Sequence, residues 1–225
     1  MSESGTPEQE TKQGNFFTRS IQRIFDRQRT TPEDIQSQQV RLRGEIESDI
    51  HNQILRTYKS SLDEAEVFFQ PLMQELSQVL LRELRSTRGK RGLMLIIDDS
   101  SYEIEQVKSR LIEHARKGKV KYTVQGVTDG AAGIVLYQEF KKLAPEEKVV
   151  VFMDGLLGGH SIPTGMEALE RMARNTKQNG LPMPYIVGES GVPSLNHAIY
   201  RTYPDLYLGT FDAGERTLKV VDSRL

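Results

Sequence analysis

The chain has 225 residues, room for one domain of ordinary size and a smaller element beside it. Hydrophobic residues make up 37% and charged residues 27%, and the formal net charge is −1, so no overall positive field points to nucleic acid. With no cysteine, disulfides, thiolate metal sites and cysteine nucleophiles are excluded together.

Residues 1–14 are Ser, Glu, Gln, Thr, Gly and Pro with almost nothing to bury, the composition of a disordered tail. No apolar signal core follows, and no stretch approaches the roughly 18–20 apolar residues of a membrane span, so a cytoplasmic protein is expected. Residues 15–30 differ. Phe17, Ile21, Ile24 and Phe25 give one apolar helical face, and Arg19, Arg23, Arg27 and Arg29 supply a basic remainder. Such a helix either covers the protein's own core or lies on an anionic membrane surface or in a partner's groove.

Thr31 and Pro32 read as an N-cap followed by proline at the first helical position, and residues 31–88 are helical in pattern. Ile35, Leu42, Ile46, Ile50, Ile54, Leu55 and Tyr58 form one stripe. Ser61 and Glu64 offer a capping box, and a second stripe runs through Ala65, Phe68, Leu72, Leu76, Val79, Leu80 and Leu84, with a kink expected at Pro71. Two amphipathic helices cannot bury their faces alone. A hairpin dimerising as a four-helix bundle, or a coiled coil, predicts a homodimer through residues 31–88; the other reading packs them back onto the C-terminal domain. His51, on the first of these helices, reads as an ordinary exposed histidine, though a helical hairpin with a histidine also resembles a kinase's phosphotransfer part. Residues 86–92 are short, basic and glycine-bearing, as a linker should be.

From about residue 91 the pattern changes. Leu93–Ile97 is an unbroken apolar run ending in Asp98 and Asp99, as a parallel strand covered on both faces should read. A helix follows over 102–117 with Ile104, Val107, Leu111 and Ile112. A β-rich stretch over 121–127 precedes a helix over 129–140. Val149–Met153 is a second buried strand ending in Asp154. Helix, apolar run, helix and apolar run alternate through Leu208, with a short terminal helix expected last. Alternating strands and helices predict an α/β domain over 91–225, a flavodoxin-like, doubly wound parallel sheet of five strands preceded by the all-α region. Ligands of such sheets bind beyond the carboxyl ends of the strands, where Asp98, Asp99 and Asp154 would meet. Three carboxylates held together repel unless a cation sits among them, and a hard, oxygen-seeking ion such as Mg²⁺ suits them.

An apolar strand ending in Asp98-Asp99, a later one ending in Asp154, Val127 to Ala132 as strand end and helix start, and Gly165-Met166-Glu167-Ala168-Leu169 opening the next helix together resemble the receiver domain of two-component response regulators. The match covers about 60% of the chain. The resemblance implies that Asp154 accepts a phosphoryl group as an acyl phosphate, that Asp98, Asp99, Asp154 and the Leu156 backbone carbonyl hold Mg²⁺, and that the protein catalyses nothing beyond its own phosphorylation and dephosphorylation. The implied partners are a histidine kinase or phosphotransfer protein and a downstream protein.

Three departures mark the match. Where the family carries a Ser or Thr after the fourth strand, spacing from Pro184 gives Glu189, with Ser190 one step late. Where it carries a Lys after the fifth strand, this chain has Gly209 or Thr210, which removes one stabiliser of phosphoryl oxygens. The loop after Asp154 is about three residues longer than the family's and contains His160, either an exposed loop histidine or a donor replacing that lysine. Two readings follow: an atypical receiver phosphorylated on Asp154, or a phosphorylation-independent adaptor on a degenerate receiver fold. No phosphate-loop, zinc-protease or serine-hydrolase motif is present, the Asp-x-Asp of haloacid dehalogenase phosphatases is not matched, and no DNA-reading output domain is recognisable.

Overall fold

The computed structural model describes residues 32–57, 61–86, 92–118, 122–158, 162, 164–212 and 217–220. The expected tail and basic helix at 1–30, the linker at 87–91 and His160 lie outside them, as does the side chain of His51. The chain divides into two compact units, Met1–Val40 and Arg41–Leu225. Of the first, only the start of helix α1 (Pro32–Thr57) is described.

The second unit carries the rest of α1, α2 (Leu62–Ser86) and an α/β arrangement: β1 (Leu93–Ile97), α3 (Ser101–Gly118), β2 (Thr123–Val127), α4 (Gly130–Leu143), β3 (Val149–Met153), α5 (Gly165–Gln178), β4 (Tyr185–Gly188), α6 (Pro193–Thr202), β5 (Tyr207–Asp212) and β6 (Thr217–Val220). The strands lie in the order β2-β1-β3-β4-β5-β6. The first five are parallel, as the alternating pattern requires. β6 runs antiparallel to β5 and was not foreseen: where a terminal helix was expected, Thr217–Val220 pairs with Gly209–Asp212 instead. Its Thr-Leu-Lys-Val sequence alternates with period two, and four residues are too few to show a helical face.

Side chains alternate across the pleat. Leu93, Leu95, Ile97, Val149, Val151 and Met153 enter one core with α2, α4 and α5; Met94, Ile96, Val150 and Phe152 enter the other with Ile104, Val107 and Leu111 of α3. Every residue of β1 and β3 is buried, the signature of strands covered on both faces. Ile112, placed on the same helical face by the sequence, is 39% exposed.

The inner core is thickened by a helix from outside the alternating series. Residues Gly130 to Lys141 of α4 are buried without interruption, which a helix shows only when packed on all sides. α2 supplies the outer cover, placing Ala65, Phe69, Leu72, Met73, Leu76, Val79, Leu80 and Leu84 in the same core, and Ser77 reaches the Leu136 carbonyl at 3.5 Å. The apolar stripe of α2 is therefore used within the chain. Its aromatic member is Phe69, fully buried, whereas Phe68 is 53% exposed. Ser61 and Glu64 form the capping box, with Ser61 N donating to Glu64 Oε2 at 2.8 Å and Glu64 N to Ser61 Oγ at 3.4 Å. α2 runs through Pro71 as one helix.

Two polar ties fix the outer helices. Arg171 of α5 forms a paired hydrogen bond with Glu66 of α2, at 3.0 and 2.9 Å, and also meets Asp63. Arg43 of α1 bonds the Val124 carbonyl on β2 and pairs with Glu83 at 3.2 Å, while Gln125 donates to Glu47 at 3.0 Å. β2 is an edge strand, and Arg43 occupies one of its free carbonyls.

Candidate functional site

β1 has β2 on one side and β3 on the other, so the order of strands reverses there, and the crevice at the carboxyl ends of β1 and β3 is where a doubly wound sheet takes its ligand. Asp98 and Asp99 leave the end of β1 and Asp154 leaves the end of β3. The register pairs Ile97 with Met153, and Asp154 N donates to the Ile97 carbonyl at 3.0 Å, so the acids emerge side by side. One carboxylate oxygen from each lies within 4.8 Å of the others. This is the meeting that the sequence predicted across 55 residues of intervening chain.

Their surroundings differ. Asp98 is buried, accepts from Ser100 N at 2.6 Å and has its carboxyl pushed up to about 6, by burial first and then by Asp154, Asp99 and Glu103. Asp154 is raised as well, again chiefly by burial. The backbone N–H groups of Gly155, at 2.6 Å, and Leu156 oppose the rise, as does the Ser190 hydroxyl. Asp99 is exposed, and the loop leaving Asp154 passes so near it that a Cβ on Gly158 would overlap its carboxylate.

Glu189 and Ser190 both face this crevice. Glu189 continues β4, its N–H donating to the Met153 carbonyl at 2.9 Å. Its side chain is 3% exposed, and neither carboxylate oxygen has a hydrogen-bond partner. Burial, then Asp98, Asp154 and Glu103, push its carboxyl up to about 9. Ser190 is the group that bonds Asp154. Asn196 of α6 holds its backbone from both sides, accepting from Ser190 N at 3.2 Å and donating to Ser190 O at 2.8 Å. Beyond β4, on β5, Thr210 Oγ1 meets the Tyr207 hydroxyl at 2.5 Å. Leu156 is 52% exposed and bridges Thr164, where the chain turns into α5. Gly165 is required there, because a Cβ would overlap the Asp154 carbonyl oxygen.

Two participants escaped the sequence reading. Glu103 lies five residues beyond Asp98, in the first turn of α3, so its proximity was legible in the helical rise. Asn196 gave no signal, since its partner is a backbone segment positioned by packing.

The donor set fits a hard divalent cation: three convergent carboxylates, a fourth carboxyl with orphaned oxygens, and carboxylates as the charges acting on Asp98, Asp154 and Glu189. Comparison with protein-family models, with curated proteins and with solved structures finds no match. Among the described residues no helix is long and apolar enough to cross a membrane.

Proposed function

We propose that the chain is an atypical response-regulator receiver that takes a phosphoryl group on Asp154 with Mg²⁺ and signals in the cytoplasm by changing its protein contacts. The observation that carries this reading is the convergence of Asp98, Asp99 and Asp154 at the switch in strand order. When bound, the cation would neutralise charge on the transferring group. The chain's own part is to hold Asp98 and Asp99 toward the ion and to keep Asp154 oriented through the Gly155 and Leu156 N–H groups and the Ser190 hydroxyl. An Asp154 oxygen attacks phosphorus, the O–P bond forms as the donor's bond to phosphorus breaks, and the donor departs with the electron pair.

The partners proposed are a histidine kinase or phosphotransfer protein upstream and a protein target downstream. Tyr102, Leu156 and Val192, following β1, β3 and β4, are 61%, 52% and 42% exposed at the carboxylate end of the sheet and offer an apolar docking rim. A homodimer through residues 31–88 would use what α2 leaves outside its core, the exposed Val67 and Phe68. Phe68→Glu should then halve the mass measured by analytical ultracentrifugation, and an unchanged mass would remove that dimer.

Intact mass after incubation with Mg²⁺ and acetyl phosphate tests the central reading. The wild type should gain a phosphoryl adduct and Asp154→Asn should not; labelling that persists in the variant would sink the assignment. A second reading is favoured by Glu189, an acid where receivers have a hydroxyl, and by Gly209 or Thr210 in place of their lysine: a phosphorylation-independent adaptor on the same fold. Partner binding indifferent to Asp154→Asn and to Mg²⁺ would support that alternative.

A further inference from the structure

Glu189 presents a problem that the acid cluster alone does not solve. The side chain is 97% buried, both its oxygens lack donors, and the charged groups acting on it are Asp98, Asp154 and Glu103, all acids. A leucine or methionine would fill such a space without leaving two acceptors unpaired. Two unpartnered acceptors facing a cluster of carboxylates need a source of donors that enters with positive charge. A hydrated divalent cation is one: Mg²⁺ sheds water reluctantly and keeps several molecules, whose polarised hydrogens must go somewhere. Asp98, Asp99 and Asp154 are close enough together to take direct positions on one ion, while Glu189 stands outside that close group, as a partner reached through water would.

We infer that Glu189 is a positioning residue whose two carboxylate oxygens receive the water ligands of a divalent cation held by Asp98, Asp99 and Asp154. The inference rests on the cation-binding half of the function proposed above and not on the phosphoryl step. It has a consequence for that step. A phosphoryl oxygen entering the ion's shell replaces a water, and it meets Glu189 acceptor to acceptor. The residue that steadies the hydrated ion therefore opposes the phosphoryl group, and a neutral amide in its place reverses both effects.

The test is calorimetric titration of the full chain with Mg²⁺ and with Mn²⁺, wild type beside Glu189→Gln and Glu189→Asp, with the melting temperature of each chelated protein as a check on folding. The glutamine variant is expected to bind both ions 10- to 100-fold more weakly. The aspartate variant, which keeps acceptors, should fall between. With acetyl phosphate and saturating Mg²⁺, the glutamine variant should form the Asp154 adduct faster than the wild type. Affinity within twofold of wild type in a folded Glu189→Gln, or equal affinities for the two variants, would overturn the inference. Weaker ion binding with no adduct in any variant would uphold it and count against the phosphoryl step instead. A wild type that binds neither ion would overturn both.

Discussion

Glu189 and Asp98 hold protons more tightly in the folded chain than an unfolded one would, with their carboxyls raised to about 9 and about 6 from ordinary values of 4.5 and 3.8. Between those limits the folded state binds more protons, so the stability of the chelated protein should be highest below about pH 3.8 as far as these groups decide it, and should fall as pH rises toward 9. Asp154, raised by burial in the same space, steepens the fall. Thermal melts in chelator from about pH 5 to about pH 9 would measure it. Glu189→Gln should flatten the curve and add on the order of 2 kcal/mol at pH 8, because an uncharged amide replaces a buried, unpartnered acid. Mg²⁺ at about a hundred times its dissociation constant should restore roughly 2.7 kcal/mol to the wild type. The three aspartates were legible because each follows directly on an apolar run. The isolation of Glu189 was not: spacing placed the residue, but whether anything bonds to it depends on what packs over it from β3, α3 and α6.

At the scale of elements, polar ties between segments far apart in sequence do what local pattern cannot express. Arg171 joins α5 to Glu66 and Asp63 on α2 across more than a hundred residues of chain. Arg171→Ala should cost about 1–3 kcal/mol, since Glu66 is left largely buried without its cation. A double-mutant cycle with Glu66→Ala should return a coupling energy of at least about 0.5 kcal/mol in urea denaturation, and additivity would contradict the tie. Gly126 on β2 has Ile104 so close that a Cβ would overlap it, so Gly126→Ala should destabilise by roughly 1–3 kcal/mol and push α3 from the sheet. The capping box of α2 was visible as Ser61 and Glu64 three apart. The choice between Phe68 and Phe69 was not, because both lie near one edge of a helical stripe and only the position of α4 selects between them.

For the whole molecule, alternation of apolar runs with helical periods was enough to specify a parallel five-stranded α/β sheet, and the strand order bears it out. Two features lay beyond that pattern. β6 was hidden because its alternation is only four residues long. The enclosure of α4 was hidden because burial on every side requires a cover from outside the alternating series, and α2 supplies it. A chain beginning at residue 92 would therefore expose the outward face of α4. We expect such a chain to bind a hydrophobic dye and to lose its cooperative melt. A sharp transition like that of the full chain would show the cover to be dispensable.

The same enclosure sets an order on synthesis. α2 ends at Ser86 and α4 begins at Gly130, so the cover leaves the ribosome well before the surface it fits. At about 5–20 residues per second, that face of Phe69, Leu76 and Leu80 waits for several seconds with its destination not yet made. A nascent chain of this protein passes through an interval in which the apolar face of α2 has no home, and holding that helix soluble falls to whatever meets the chain as it emerges.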